Sequence, residues 1–399
     1  MSHSSDSQHL TAERLDSGIA QKYSTWSAAA CLIGLLISGI GFVSNKQQFA
    51  FSWLFGCMFV LTLCMGGLFW TILHSATDSE WGVLVRRQME NIASVIPYMS
   101  VFFLPLLFFC APILWKWWEV APGEDPLLDA KSGFLNHQFF YIRFAAYFLG
   151  LGGVALALRK ASVAQDEDGA ARHTYFLRKA AIAGLPIFAV CLTFASVDWL
   201  MGLDYHWFST MWGVYIFAGS AGSSMALLVL VITALRKAGY LRAVNEEHYH
   251  IMGKFMLAFT VFWAYIAYSQ YMLIWYANMP EESIYFKIRN TAGWHTLTSI
   301  LVVGRFFIPF PLLLFQGSKK NVRILCAIAG WMIAMQLLDH YIIVLPALHT
   351  SGVSVSPYDI GSLLAVGGAA AHLFIRRISS ANLFPTRDPR LVGSVTLSN

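Results

Sequence analysis

The chain has 399 residues, of which 57% are hydrophobic and 12% are charged. Soluble domains carry about twice that share of charged residues, so the composition excludes a soluble globular protein and predicts a membrane protein. The net charge of +5 does not require a nucleic acid partner, because basic residues at a membrane surface face anionic lipid headgroups.

Ten mainly apolar stretches follow one another along the chain, each close to the roughly 20 residues that cross a hydrocarbon core. They are apolar all round, which favours helices over the alternating strands of a transmembrane barrel. The sequence therefore predicts an all-α polytopic membrane protein with ten transmembrane helices. The predicted spans are 23–43, 50–73, 91–114, 135–158, 180–200, 210–235, 252–276, 295–315, 322–344 and 359–375.

The ends of the chain are polar. Residues 1–22 lack the basic and then apolar order of a cleaved signal peptide, and they are interpreted as a disordered tail. Residues 376–399 are interpreted as a second tail. Most of the 27 Lys and Arg residues lie in these ends and in the loops after even-numbered spans. By the positive-inside rule, this bias predicts that both termini are cytoplasmic.

Cysteine and histidine residues do not predict a metal site. The 6 cysteines all fall inside predicted spans and form no CxxC pair, whereas an iron–sulfur centre needs a set of thiolate ligands. Away from the span ends, only His340 and His372 lie within spans, one toward each side, and a membrane b-type haem needs two histidines at matched depth. No metal or haem is therefore expected in this chain.

Arg305 lies near the middle of the eighth span, where an ionisable group costs at least about 2.5 kcal/mol. Asp339 in the ninth span is the carboxylate within reach of its guanidinium. Gln336 precedes Asp339 by three residues and His340 by four, so one helix face presents all three. These four residues are predicted to form a buried network, which is either a static pair that fixes helix packing or part of a proton relay.

A second polar group lies near the outer end of the fifth span. Asp198 stands close in sequence to Asp204 and His206. It either forms an outer polar mouth with them or caps a short extracellular turn.

A third group lies at the cytoplasmic side. Glu90 follows Arg86 by four residues and can pair with it along a helix, and His74 lies close to the same face. Read as a series, the charged residues of the three groups form an incomplete ladder of titratable groups across the membrane. The proton-path candidates are Asp339, His340, Asp198, Glu90 and His74.

Three stretches carry a resemblance to a known family. They are "WLFGCMFVLTLCMGGLFWTILHSATDSEWGVLVRRQMEN", "SVDWLMGLDYHWFSTMWGVYIFAGS" and "NEEHYHIMGKFMLAFTVFWAYIAYSQYMLIWYANMPEE". They resemble the polytopic membrane subunits of bacterial alternative complex III, a quinol:cytochrome c or quinol:oxidase oxidoreductase, which belong to the polysulfide-reductase NrfD-like family. The likeness is stronger to the smaller of its two large membrane subunits than to the larger, and it covers the second to the ninth span.

The resemblance implies two four-helix bundles, spans 2–5 over about 50–200 and spans 6–9 over about 210–344, with the first and tenth helices at the periphery. A faint parallel repeat between the openings of spans 2 and 6 agrees with this arrangement. The resemblance also implies a similar stretch at 302–306 with a histidine in the position that Arg305 occupies here. Because arginine does not release its proton, Arg305 is expected to act as a fixed charge.

The resemblance also implies a bacterial inner membrane location and a set of partners. These are a homologous NrfD-like membrane subunit, a periplasmic iron–sulfur subunit, c-type cytochrome subunits and, in some assemblies, a terminal oxidase. Quinol, c-type haems and iron–sulfur clusters belong to the complex, and no cofactor is expected in this chain. The sequence assigns no quinone-binding residues and no catalytic residues.

Three functions follow as hypotheses. The leading one is an auxiliary membrane subunit of a quinol-oxidising respiratory complex, which supports assembly and contributes to proton translocation. The second is that this chain itself binds and oxidises quinol. The third is a secondary transporter, because parallel repeats and intramembrane charges also occur in carriers.

Overall fold

The computed structural model describes residues 12–398, and within that range the chain is helical without any strand. Ten of its helices are long and apolar enough to cross a membrane, so the predicted all-α membrane fold with ten spans is confirmed. They are α1 (Ser17–Ser44), α2 (Lys46–Ala76), α3 (Val83–Leu114), α4 (His137–Asp168), α5 (Ala171–Leu203), α6 (Trp212–Lys237), α7 (Glu246–Ala277), α8 (Gly293–Leu314), α9 (Val322–Ala347) and α10 (Pro357–Ser379).

The helices pack as two rings of four. In the first ring α2, α3, α4 and α5 each contact the next, and α5 closes onto α2. In the second ring α6, α7, α8 and α9 do the same, and α9 closes onto α6. The rings meet where α2 packs against α6 and α9, while α1 and α10 pair outside and lie against α2. This is the architecture of two four-helix bundles with two peripheral helices.

Small residues bring the two bundles into backbone contact. A Cβ atom added at Gly66 of α2 would lie 2.1 Å from the carbonyl oxygen of Ser220 in α6. Membrane helices gain little from apolar burial against each other, so such close approach supplies much of their packing. We call the face that carries both ends of the described chain the terminal face, and the opposite one the distal face.

Two spans contain a π-helical turn. One covers Leu106–Cys110 of α3 and follows Pro105, and the other covers Val303–Phe307 of α8 and precedes Pro309. The second contains Arg305. The indole of Trp331 donates to the carbonyl of Gly304 at 2.6 Å, which satisfies an acceptor in the irregular turn.

The ends of the chain differ from the prediction. Helix α1 begins at Ser17, inside the stretch interpreted as a tail, and residues 1–11 lie outside the described residues. Residues 380–398 are not a free tail. They pack on the terminal face, where the Leu383 amide donates to the Glu13 carbonyl at 2.8 Å and the Asn245 side chain donates to the Leu397 carbonyl at 3.0 Å.

Candidate functional site

The central network joins α8, α9 and α6. The Nη1 atom of Arg305 lies 2.8 Å from Oδ2 of Asp339, and its Nη2 atom donates to Gln336. The hydroxyl of Tyr215 donates to the other carboxylate oxygen of Asp339. The guanidinium also lies 4.4 Å from the centre of the Trp263 ring, a cation–π distance. With Arg305 7% and Asp339 3% exposed, this is a buried and mutually compensated charge pair.

His340 links this network to the first bundle. Its Nδ1 atom lies 2.9 Å from the Gln336 carbonyl oxygen and its Nε2 atom 3.3 Å from the Thr62 hydroxyl of α2. A carbonyl can only accept, so Nδ1 carries a hydrogen, while the Thr62 hydroxyl donates its own hydrogen to the Phe59 carbonyl at 2.9 Å. The i, i+3 and i+4 spacing of Gln336, Asp339 and His340 therefore places all three on one face, as the sequence indicates.

A small cavity of about 10 Å³ adjoins the network. Its lining includes Arg305, Ser223 and Thr260 together with apolar groups. That volume is about the room of one water molecule, and the polar lining can hydrogen-bond it. Small-molecule sites need several hundred Å³, so this cavity fits water and not a quinol ring.

The ion pairs near the terminal face are more extensive than the sequence predicts. Arg86 pairs with Glu90 at 3.0 Å as predicted, but it also pairs with Asp388 of the C-terminal segment at 3.0 Å. Arg87 pairs with Glu90 at 3.1 Å and with Asp166 of α4 at 2.9 Å. All five side chains are buried or nearly so, and Glu90 is thus held between two guanidinium groups.

The C-terminal segment continues this cluster. Asp388 is paired with Arg390 at 2.8 Å, and Arg390 reaches Asp78 at 3.0 Å. Burial raises the pKa of Asp388, but the hydrogen bonds and positive charge of Arg390 and the charge of Arg86 outweigh burial and lower the pKa to about 2. The segment is therefore fixed to the helices by ionised groups.

His74 stands apart from Glu90. Its Nδ1 atom donates to the Trp70 carbonyl at 2.7 Å, while its Nε2 atom is buried and has no hydrogen-bond partner among the described residues. A Cβ atom at Gly82 would lie 2.3 Å from that nitrogen, so the loop after α2 closes directly over the ring. No hydrogen bond within residues 12–398 connects His74 with Glu90.

Near the distal face, Asp198 adopts neither arrangement that the sequence suggests. Arg143 of α4 binds it with two bonds of 2.8 Å, and the Tyr147 hydroxyl donates to it at 2.6 Å. The Arg143 guanidinium also lies 3.8 Å from the centre of the Phe134 ring. Both carboxylate oxygens of Asp198 therefore accept hydrogen bonds from side chains of the neighbouring helix α4. This favours a structural role for it.

The loop residues near Asp198 form a separate group. His206 Nε2 lies 3.0 Å from Asp125, and the Tyr205 hydroxyl donates to the same carboxylate at 2.9 Å. The Tyr205 hydrogen bond contributes most to lowering the pKa of Asp125. Asp204 accepts from the His206 backbone amide at 3.2 Å, so it is Asp204 that caps the turn.

One buried carboxylate escapes the sequence analysis. Asp359, 3% exposed at the start of α10, accepts from Ser52 at 2.5 Å and from Gln48 at 3.3 Å. The Gln48 amide oxygen lies 2.8 Å from Nε2 of His349. The spacing of Ser356 and Asp359 does indicate a capping box, but nothing local indicates burial against α2.

Helix α2 contributes a residue to three of these groups: Ser52 to the Asp359 group, Thr62 to the central network and His74 near the terminal face. From Ser52 to Thr62 is about 15 Å along the helix, and from Thr62 to His74 is about 18 Å. The intervals are filled by buried apolar residues such as Phe55 and Leu68. A proton that crosses from one level to the next therefore needs water molecules between them.

A comparison with models of known protein families finds no match, and no curated protein is significantly similar to the chain.

Proposed function

We propose that this chain is an auxiliary membrane subunit of a quinol-oxidising respiratory electron-transfer complex in the bacterial inner membrane, with both termini in the cytoplasm. In this proposal it holds partner subunits together and moves protons through the contact between its two bundles. Electron transfer belongs to the partners: an iron–sulfur subunit, c-type cytochromes and a homologous membrane subunit.

The observation that carries the proton role is the network of Arg305, Asp339, Tyr215 and His340 at the centre of the fold. Arg305 keeps its charge, so it supplies a constant field that stabilises negative charge on Asp339. The hydroxyl of Tyr215 and the imidazole of His340 are groups that can give and accept a proton. A static helix clamp needs only the ion pair, whereas the imidazole that reaches across to Thr62 and the water-sized cavity suit proton exchange.

The role in assembly is supported by the surface of α7. Tyr265 and Tyr268 are each 65% exposed on the outside of the second bundle. They lie about 18 Å and 14 Å from the helix end at Ala277, which is too deep for the aromatic belt at the membrane surface. A phenol hydroxyl in hydrocarbon without a partner costs about 1–3 kcal/mol. We propose that a transmembrane helix of the homologous subunit covers this face and accepts from these hydroxyls.

The subunit proposal is tested by tagging the chain at its native locus and extracting it in mild detergent. The proposal predicts reduced c-type haem bands in the visible spectrum and a large iron–sulfur polypeptide in the purified material. A colourless chain that emerges alone, from cells that contain those partners, contradicts it and favours the transporter hypothesis.

The assignment of electron transfer to the partners is tested with an azidoquinone photolabel on the purified complex. Label confined to the homologous membrane subunit supports the auxiliary role. Label on this chain that quinol prevents would instead support quinol oxidation by this chain.

A further inference from the structure

A groove of about 530 Å³ opens between α1 and α10 at the terminal face. One wall comes from the first two turns of α1 and presents Ser17, Gln21 and Ser24. The other wall comes from the last two turns of α10 and includes His372 and Arg376. The groove lies in the peripheral helix pair, so it is separate from the network between the bundles.

The depth of the groove follows from the two helices. Ser17 to Ser24 and His372 to Ser379 each cover about 10 Å along a helix. Ser24 and His372 close the inner end, where the hydroxyl lies 3.0 Å from Nδ1 of the ring. The headgroup layer of one leaflet is about 5–8 Å thick, so a groove of this depth spans it and reaches slightly below it.

Arg376 is the charged residue of the groove and it is exposed there. Within residues 12–398 no carboxylate pairs with its guanidinium and no side chain hydrogen-bonds to it. The neighbouring Arg377, by contrast, donates to the hydroxyl of Tyr98 at 2.6 Å. A guanidinium has five donors in a planar fork that matches phosphate oxygens, so Arg376 is free to bind a phosphate with two bonds.

The rest of the lining fits the remainder of a phospholipid. Leu15, Ala20 and Ile375 are apolar and suit the glycerol region and the first carbons of the acyl chains. In α1, the amino group of Lys22 lies 4.9 Å from the centre of the Trp26 ring, and Trp26 is 59% exposed. Exposed Trp with a basic neighbour is typical of the membrane surface, and this sets the groove at the headgroup level.

We propose that this groove binds the phosphate and glycerol region of an anionic phospholipid from the leaflet at the terminal face, with Arg376 as the phosphate ligand. The bound lipid fills the space between α1 and α10 and joins the peripheral helix pair to the bilayer. A soluble phosphate compound has the same headgroup chemistry, so the test separates these two sources.

The test is native mass spectrometry of the full chain, purified in mild detergent, delipidated and titrated with phosphatidylglycerol. We expect one tight site in the wild type, and a dissociation constant raised about tenfold by Arg376→Ala through the loss of charged hydrogen bonds. Arg323→Ala is the matched control, because Arg323 is exposed near the same face but does not line the groove. Its field is screened by salt, so we expect a change of about twofold or less.

Two further arms complete the test. Ser17→Phe adds bulk at the exposed rim without changing charge, and it should also weaken the site. Deacylated glycerophosphoglycerol and inorganic phosphate should not displace the lipid at equal concentration. Equal effects of Arg376→Ala and Arg323→Ala overturn the proposed site, and full displacement by the deacylated headgroup overturns the lipid source.

Discussion

Breaking the Arg305–Asp339 pair from one side is expected to destabilise the protein strongly. Both side chains are buried, and their charged atoms lie 2.8 Å apart. Removing one partner of such a pair costs about 3–5 kcal/mol, because the other charge stays buried without compensation. We therefore expect Arg305→Met and Asp339→Leu each to lower the free energy of unfolding by that amount.

The double variant distinguishes this reasoning from a simple loss of packing. It leaves no uncompensated charge, but the Tyr215 hydroxyl and the Gln336 oxygen each lose a hydrogen-bond partner. Each loss lowers the free energy of unfolding by about 1–3 kcal/mol. The double variant should therefore lose about 2–6 kcal/mol, close to the loss of one single variant and well below the sum of both, with a coupling energy of at least about 2 kcal/mol.

The assay is reversible unfolding in mixed micelles by titration with dodecyl sulfate. Arg172→Met is the control, because the Arg172 side chain is 75% exposed in its pair with Asp168 and should contribute less than about 1 kcal/mol. Additive single effects, or single effects no larger than the Arg172 control, would refute the account of a desolvated and mutually dependent pair.

Three further predictions concern the ends, the helix contacts and the outer surface. Because the pKa of Asp388 is lowered, its carboxylate contributes about 2 kcal/mol to the free energy of unfolding above the ordinary Asp pKa, and this contribution is lost as pH falls toward 2. Proteolysis of the C-terminal segment should therefore increase as pH falls over that range. Asp388→Asn should show no such increase, because its segment is cleaved at all pH values. Gly66→Ala should lower the free energy of unfolding by more than about 2 kcal/mol. Gly39→Ala should not, because its Cβ atom meets nothing within 4 Å. Equal effects of the two substitutions would contradict the close contact between α2 and α6. Tyr265→Leu should leave the isolated chain as stable as before but reduce the partner subunit that co-purifies; unchanged recovery would mean that lipid covers this face.

The ten spans and the part of the central network that lies on α8 and α9 could be predicted because each depends on local information, whereas Tyr215 of α6 was missed. Twenty apolar residues define a span wherever it lies in the fold. A carboxylate, an amide and an imidazole spaced by three and four residues share a helix face, and Arg305 at mid-span requires a buried partner. Predicting the Arg305–Asp339 pair then required only the assumption that α8 and α9 are neighbours.

The other ion pairs depend on helix rotation and on which helices close each ring. Asp198 was grouped with residues near it in sequence, but its partner Arg143 lies on the neighbouring helix α4 and contacts it directly. Asp388 belongs to a polar segment that reads as a free tail, and its partner among the helices is the buried Arg86 at the start of α3. Such pairings are set by tertiary contacts, which a single sequence does not display.

In the proposed function, the network around Asp339 moves protons while partner subunits transfer electrons. The most direct test is to reconstitute the purified complex in vesicles and measure protons released per electron for the wild type and for Asp339→Asn. Asp198→Asn is the matched control, because Asp198 is saturated by Arg143 and Tyr147. The account predicts that Asp339→Asn retains electron transfer from quinol but releases fewer protons per electron, while Asp198→Asn keeps the wild-type ratio. An unchanged ratio in Asp339→Asn would contradict the proton role and leave the network as a structural clamp.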